Sequence, residues 1–418
     1  MLKNPSVYII GAGASGLASA RVLEDNGYSA TVLEAEKKIG GRLQTDIIDG
    51  YALDHGFQVL LTAYPAVNKY LDLASLNLAY FQPGAVILSN GRQSVMGDPL
   101  RQPSMLLKTL LSPAASVKDK FLIYRLTRHL KAKTINAIFD APEISTLEYL
   151  KAYGFSHVII ENFFMPFFTG IYLEDKLSTS SRMFEFIFKM FSQGRAALPA
   201  NGMHDVAQAL ARPLARSAIR TSTTVVNIEP DNRRIHLESG EVLEADYIIL
   251  ATNTDKVLPG YHTERILWKK CTTLYFKVAH PASNQQLIGL IPDPDTLINT
   301  LSYAQRVDPQ KDNEVMLSVT IVKEHALEDK ELIEKVKEEL LQQCGFTNLR
   351  FVKLYHIPKA LPDIKDVLYV PKNVTVSEGI FIAGDMLANG SLNAALLSGD
   401  YAAKALIEQH RSVMDQQR

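Results

Sequence analysis

Val7-Tyr8-Ile9-Ile10-Gly11-Ala12-Gly13-Ala14-Ser15-Gly16 begins the stretch that decides the fold, and the stretch ends at Glu34. Val7 to Ile10 is apolar and partly β-branched, as a buried parallel strand is. A helical pattern follows the glycines through Asn26, and Gly27 stops it. A second apolar run, Tyr28 to Leu33, ends in an acid. Strand, turn, helix and strand in that order make a βαβ unit with G-x-G-x-x-G at its first turn. Gly11 permits the tight turn. Gly13 lets a pyrophosphate approach the backbone, and Gly16 lets the helix pack closely on the strand. Free N–H groups at the helix start, backed by the helix dipole, favour phosphate. Glu34 falls 21 residues after Gly13, where a carboxylate can accept hydrogen bonds from ribose hydroxyls. The expected fold class is α/β, built around a Rossmann-like dinucleotide domain.

Composition limits what that domain serves. A chain of 418 residues has room for two or three domains. With 47% hydrophobic and 21% charged residues it reads as an ordinary folded protein. Forty-four Lys and Arg against 45 Asp and Glu leave a net charge of −1, which offers nucleic acid no attractive field. The two cysteines, Cys271 and Cys344, match no metal or redox spacing, so no metal site and a reducing cytoplasmic setting are expected. Val7 to Ala20 lacks the basic flank of a signal peptide, and no apolar run reaches the roughly 20 residues that span a bilayer.

Further motifs gather around the first. Ile39-Gly40-Gly41-Arg42 follows Glu34 closely, and Arg42 can pair with a phosphate. Leu53-Asp54-His55-Gly56-Phe57 follows a short strand. Near the other end, Gly379 to Ile382 is a buried strand leading into Ala383-Gly384-Asp385, and Ser391-Leu392-Asn393-Ala394-Ala395 opens a helix that reaches about Gln409.

These motifs, with Thr224 to Ile228 and Ala245 to Thr252, resemble the flavin-containing amine oxidase superfamily. The resemblance covers nearly the whole chain. Leu53 to Val59 and Leu198 to Met203 are most similar to its phytoene desaturase and protoporphyrinogen oxidase-like branch. The resemblance implies FAD rather than NAD. By position, Gly11, Gly13, Ala14, Ser15 and Gly16 would meet the pyrophosphate, and Glu34 with Ala35 the adenosine ribose. Gly41 and Arg42 would line the phosphate and ribityl side, and Val225 would contact adenine through its backbone, with Thr252 close by. Gly384 and Asp385 would hold a phosphate–ribityl segment. Gly56 and Phe57 would lie beside the flavin, and Leu392, Asn393, Ala394 and Ala395 beneath it. The family's usual glycine before the last alanine is Ala394 here. The cysteine motif of covalent flavin is missing near Ser391, so FAD is expected to be non-covalent.

Each position has a plainer alternative. Glu34 could be a strand end, Arg42 a surface ion pair, Asp385 a turn former, and Ser391 a helix cap. His55 and Lys277 are the candidates for a catalytic group, with a structural histidine the competing reading for His55. No catalytic acid or base is assigned.

The motif positions imply a discontinuous FAD domain, residues 1–75, 196–256 and 362–418, with a β-meander from Asn227 to Ile249. Two insertions, 76–195 and 257–361, would form an α+β substrate domain, the first mainly helical. Glu161 to Tyr172 concentrates aromatics, and Phe184, Phe186, Phe188 and Phe191 follow on helical spacing. Core packing explains such residues, but pockets for large apolar ligands also need them. Residues 101–133 carry Arg101, Lys108, Lys118, Lys120, Arg125, Arg128, Lys131 and Lys133 against one acid, Asp119, with leucines between them. Ser116 to Asp119 reads as a capping box. Such a helix pair is either a solvated face over its own core or a peripheral contact with anionic membrane.

A second G-x-G-x-x-G and C-x-x-C are both missing, so electrons are expected to come from an organic substrate and pass to O2 or a quinone. The expected activity is dehydrogenation or desaturation of an apolar small molecule by hydride transfer to flavin N5. The alternatives are a peroxide-releasing amine oxidase, a flavin-dependent isomerase without net redox, and a lipid-binding protein with a vestigial flavin.

Overall fold

The computed structural model describes residues 5–99, 101–254, 257–258, 266–279, 286–308 and 314–417. The strand Val7–Ile10 lies inside a six-stranded sheet of order Ala218–Arg220, Thr31–Leu33, Val7–Ile10, Tyr247–Leu250, Ile380–Ile382, Thr375–Ser377. Every neighbouring pair is parallel except the last. Val7–Ile10 and Tyr247–Leu250 are buried or nearly so, which is why both read as continuous apolar runs. The helix Ala14–Asp25 packs against the C-terminal helix Leu392–Gln416. Two glycines permit these contacts. A Cβ at Gly16 would sit 2.0 Å from the Gly11 carbonyl oxygen, and one at Gly399 would sit 2.2 Å from that of Ser15. The meander is present as antiparallel strands Val225–Glu229, Arg234–Leu237 and Val242–Glu244.

The second domain is organised by a seven-stranded sheet. Its order is Arg350–Asp363, Leu267–Val278, Val315–Ile321, Ile298–Tyr303, Ile288–Leu290, Gly84–Ser89, Arg92–Gly97. The last two strands come from the first insertion, which the sequence reading took as mainly helical. Gly84–Ser89 becomes a strand because Ile288–Leu290 pairs with it in parallel, a partner that local sequence does not reveal. The expected boundary at 361/362 falls inside the strand Arg350–Asp363, and residue 256 of the boundary at 256/257 lies outside the described residues.

The two faces of this sheet differ in chemistry. Leu274, Phe276, Leu301, Leu317 and Val319 pack with Leu332, Val336 and Leu340 of the helix Asp329–Cys344. Strand alternation turns Thr273, Tyr275, Thr300, Ser302, Ser318 and Thr320 the other way, and the Tyr275 hydroxyl donates to the Asp54 carbonyl oxygen at 2.8 Å. This hydroxyl-rich face is buried, with Tyr275 against Asp54 of the first domain and Thr300 against Gly170 of the first insertion.

Helices dominate the remainder of the first insertion, chiefly Leu106–Leu111, Val117–Ala132, Thr146–Tyr153, Met165–Tyr172 and Ser181–Gln193. The capping box at Ser116 and Asp119 is present. Asp119 also accepts from the Ser156 amide and hydroxyl at 2.8 and 2.7 Å, so one carboxylate joins two helix starts. A π-turn over Ile160–Phe164 precedes Met165–Tyr172. The aromatic clusters divide into two groups. Phe164, Phe168, Phe184 and Phe186 are fully buried core, while Phe163, Phe167, Phe188 and Phe191 are partly exposed at its edge.

Candidate functional site

The sheet of the first domain places the sequence candidates at one edge. Ile10 is abreast of Leu33 and Leu250, and Leu250 is abreast of Ile382. The next residues in the chain, Gly11, Glu34, Ala251–Thr252 and Ala383–Asp385, therefore emerge side by side at the carboxyl ends of parallel strands. Ligands bind in that crevice in open α/β sheets.

The crevice has the features a dinucleotide needs. Gly11 has φ of 104°, a conformation that favours glycine. Gly13 caps the helix Ala14–Asp25 with no side-chain hydrogen bond, and the first turn has no acid, so the helix N-terminus is left to an anion. Gly40 donates its amide to the Ala12 carbonyl at 2.8 Å, which lays the Gly-Gly-Arg loop against the first turn. A Cβ at Gly41 would lie 3.3 Å from the Gly13 Cα, so both glycines keep this cradle narrow and bare. Glu34 is buried, its carboxylate accepting from Ala12 N at 2.7 Å and Glu36 N at 3.0 Å. These bonds fix the carboxylate and leave lone pairs for hydroxyl donors. Ala35 is exposed beside it, and Val225 is buried next to a register shift at Val225/Asn227.

Arg42 and Asp385 meet directly, with Nη2 to Oδ1 at 2.5 Å. Asp385 is buried, and the Arg42 guanidinium also lies 5.4 Å from the Trp268 ring centroid. Burial opposes the Arg42 charge, and the Asp385 carboxylate more than offsets that, holding the guanidinium above its usual range. At the start of the C-terminal helix, Ser391 is the N-cap and accepts from Ala394 N at 3.1 Å. The Asn393 side-chain oxygen accepts from Ala66 N at 3.0 Å, and its Nδ2 is buried with no partner among the described residues. Ala394 is fully buried and its methyl group fits without displacing the helix.

The model of the family described as "Flavin containing amine oxidoreductase" matches residues 14–407. The chain belongs to that family. Its cofactor is FAD, and the Gly13–Gly41 cradle, the free helix N-terminus and the Glu34 carboxylate fit an FAD pyrophosphate and ribose. The chain is similar to protoporphyrinogen oxidase 2 of Arabidopsis thaliana, with 29% identity over 179 residues, 42% of this chain and 34% of that one. It is 31% identical over 162 residues to an L-amino-acid oxidase of Sistrurus catenatus edwardsii, covering 36% of this chain and 31% of that one. The matched part is thus about a third of each relative's length. An oxidoreductase structure from Methanosarcina mazei shares the fold, with a TM-score of 0.71 at 16% identity over 96% of this chain and all of that one.

A separate antiparallel pair, Thr45–Ile48 and Tyr51–Asp54, carries Asp46 and Asp54 and leads into His55, Gly56 and Phe57. His55 Nε2 lies 3.0 Å from Asp46 Oδ2, and its ring stacks on Tyr355 at 4.3 Å. Tyr355 also donates to Asp46 at 2.8 Å. Hydrogen bonds from these partners hold the Asp46 carboxyl low against the opposing effect of burial. Gly56, with φ of 91°, and Phe57 border a small recess shared with Asp54, Tyr275, Ser302 and Ser318. Burial pushes the Asp54 carboxyl up to about 6, although Thr45 and the Met203 amide donate to it. Lys277 is not in the flavin cleft. It pairs with Asp49 at 2.9 Å, nine positions along its strand from Trp268, or roughly 30 Å at the usual rise. Lys269 follows Trp268 on that strand and pairs with Asp363 at 3.5 Å. It is paired in register with Leu361, whose side chain lies against Gly390 just before the C-terminal helix. Trp268 and Lys269 are not among the residues that the sequence motifs single out.

A cavity of about 360 Å³ lies between the helix pair and the aromatic segment. Phe163, Phe167, Phe168, Phe188 and Phe191 form one wall, and Leu106, Leu110, Ile123 and Tyr124 the other. Phe81 lines it too and packs edge-on against Phe57 at 6.2 Å, so these two rings stand between the cavity and the recess that Phe57 borders. Leu107, Leu111, Val117 and Phe121, which do not line the cavity, are well over half exposed, and the lining residues Leu106 and Leu110 are themselves about half exposed. Lys108, Lys118, Arg125, Arg128 and Lys131 are exposed around them, whereas Lys133 is ion-paired with the buried Glu185 and is withdrawn from that surface. No helix among the described residues is long and apolar enough to cross a membrane.

Proposed function

We propose that this protein dehydrogenates or desaturates an apolar small molecule that it collects at a membrane surface. The observation that carries this reading is the aromatic cavity, which reaches the Phe57–Phe81 pair at one end and the exposed leucines at the other. Its volume suits a small-molecule site. Bound FAD supplies the two-electron acceptor, non-covalently, and O2 or a quinone takes the electrons on. The protein's part is to bind the cofactor through Gly11, Gly13, Gly16, Glu34 and Gly41, to orient the substrate with the phenylalanines, and to exclude water. No side chain is assigned as acid or base.

Membrane contact follows from area and charge. The exposed leucines form one apolar patch, and such patches on soluble proteins mark partners or membranes. Exposed Lys and Arg around it favour anionic lipid, each contributing about 1 kcal/mol near the surface. Val117–Ala132 buries Leu122, Leu126 and Leu130 against the core, so that helix serves both surfaces, while Leu106–Leu111 faces mainly outward.

The amine oxidase alternative finds little support in this cavity. Asp98 is the one acid among its lining residues, beside Arg101, Lys120 and Arg195. An ammonium group entering there would meet net positive charge in an apolar space, which costs several kcal/mol. Oxygen uptake by the holoenzyme with polyenes or porphyrinogens in liposomes, compared with uptake and peroxide release with amines, tests the reading. Turnover of amines alone would overturn it.

A further inference from the structure

The cavity is apolar along its walls but not electrically neutral at its rim. Arg101, Lys120 and Arg195 all line it, against the single acid Asp98. Among the described residues, none of the three has a carboxylate partner. Arg101 Nη1 donates to the Phe191 carbonyl at 2.5 Å and has further N–H groups to offer. Lys120 Nζ donates to the Leu110 and Ser112 carbonyls at 2.9 and 3.0 Å, leaving one N–H. The Arg195 guanidinium lies over the Tyr80 ring at 4.1 Å, which leaves its N–H edge to a ligand. Lys108 and Lys118 are exposed and do not line the cavity, whereas Arg101 and Lys120 are half-buried in its lining and Arg195 reaches it from the exposed side. Three cations against one acid in the lining of an aromatic cavity favour a negative charge on an otherwise apolar ligand.

We propose that this cavity binds an anionic amphiphile, a molecule with a long apolar body and a terminal carboxylate or phosphate. The body lies among Phe163, Phe167, Phe188 and Phe191, and the anion is held by Arg101, Lys120 and Arg195. Charge-assisted bonds in a partly dry setting are about twice as strong as neutral ones, so the head group sets which amphiphile is retained. The proposal deepens the reading above by naming the substrate class, and it rests on that reading only in taking this ligand to be the substrate.

The test is displacement of a fluorescent fatty-acid analogue from the holoenzyme by oleate or oleyl alcohol. It needs no flavin reduction, so its failure and a failure of the dehydrogenase reading are separately visible. Oleate in buffer should displace the probe at least about tenfold more tightly than the alcohol, and salt should weaken oleate alone. Arg101→Gln with Arg195→Gln should remove most of that difference and leave alcohol binding within about twofold. Ile123→Trp, which puts an indole into the cavity, should weaken both ligands. Flavin content should be unchanged in each variant, which shows that the cleft has folded. Equal affinity for acid and alcohol in the native protein overturns the proposal, whether or not the variants fold. So does full oleate binding by folded Ile123→Trp. Binding to phosphatidylglycerol vesicles with none of free oleate also overturns it, because the cations then serve only membrane docking.

Discussion

Arg42 and Asp385 lie 343 residues apart in the chain and meet at 2.5 Å. Each alone reads as a phosphate or ribityl ligand. Together they form a clamp that closes the Gly-Gly-Arg loop onto the C-terminal segment, with Trp268 against the guanidinium. Replacing Asp385 by Ala leaves the Arg42 charge without its partner and frees the loop. FAD affinity, followed by flavin fluorescence, should fall about tenfold or more, since hydrogen bonds to charged groups contribute about 1.5–3 kcal/mol. An unchanged dissociation constant would mean that the pair is not part of the cofactor site.

Glu34→Ala should weaken FAD about ten- to a hundredfold for the same reason. It should also lower thermal stability without cofactor, because the Ala12 and Glu36 amides lose their acceptor. Full retention of FAD affinity would reduce Glu34 to a brace for the turn.

Asp54 predicts a pH effect of unusual sign. Burial raises its carboxyl from 3.8 to about 6, so between those values the folded state holds a proton that the unfolded state has lost. Its contribution to stability is therefore greatest at low pH and declines as pH rises through about 6, by roughly 3 kcal/mol in all. Asp54→Asn keeps a neutral acceptor for Thr45 and the Met203 amide at every pH. Relative to the native protein, the variant should gain stability between pH 4.5 and 7.5 in denaturant titrations. A difference that does not change with pH would show that Asp54 is ionised throughout.

Leu107 and Leu111 are among the most exposed leucines of the chain. Changing both to Glu should abolish sedimentation with anionic vesicles, even at low salt, while leaving the flavin spectrum intact. Reversal of Arg125, Arg128 and Lys131 should weaken vesicle binding less, and in a salt-dependent way. Native-like vesicle binding by the double leucine variant would place the membrane contact elsewhere.

What the sequence disclosed, and what it concealed, follows from the range of the interactions. The Gly11 to Gly16 turn, the meander and the Ser116 capping box are local, and all are where their patterns put them. The sheet of the second domain depends on long-range pairing, so Gly84–Ser89 gave no sign that it would join strands from the other insertion. Lys277 is a candidate by the resemblance to amine oxidases that place a lysine over the flavin, but position along a strand is fixed by long-range pairing, and Lys277 is paired with Asp49 at the end of the strand far from Trp268. The exposed leucines of Leu106–Leu111 could not be told from core leucines until their surroundings were known.

Anaerobic mixing of the FAD-loaded protein with candidate substrates tests the central claim most directly, because flavin bleaching registers electron transfer from the substrate itself. Apolar polyenes or tetrapyrroles should bleach the visible flavin band, and simple primary or secondary amines should leave it unchanged. Rapid bleaching by amines, with none by the apolar compounds, would contradict the account.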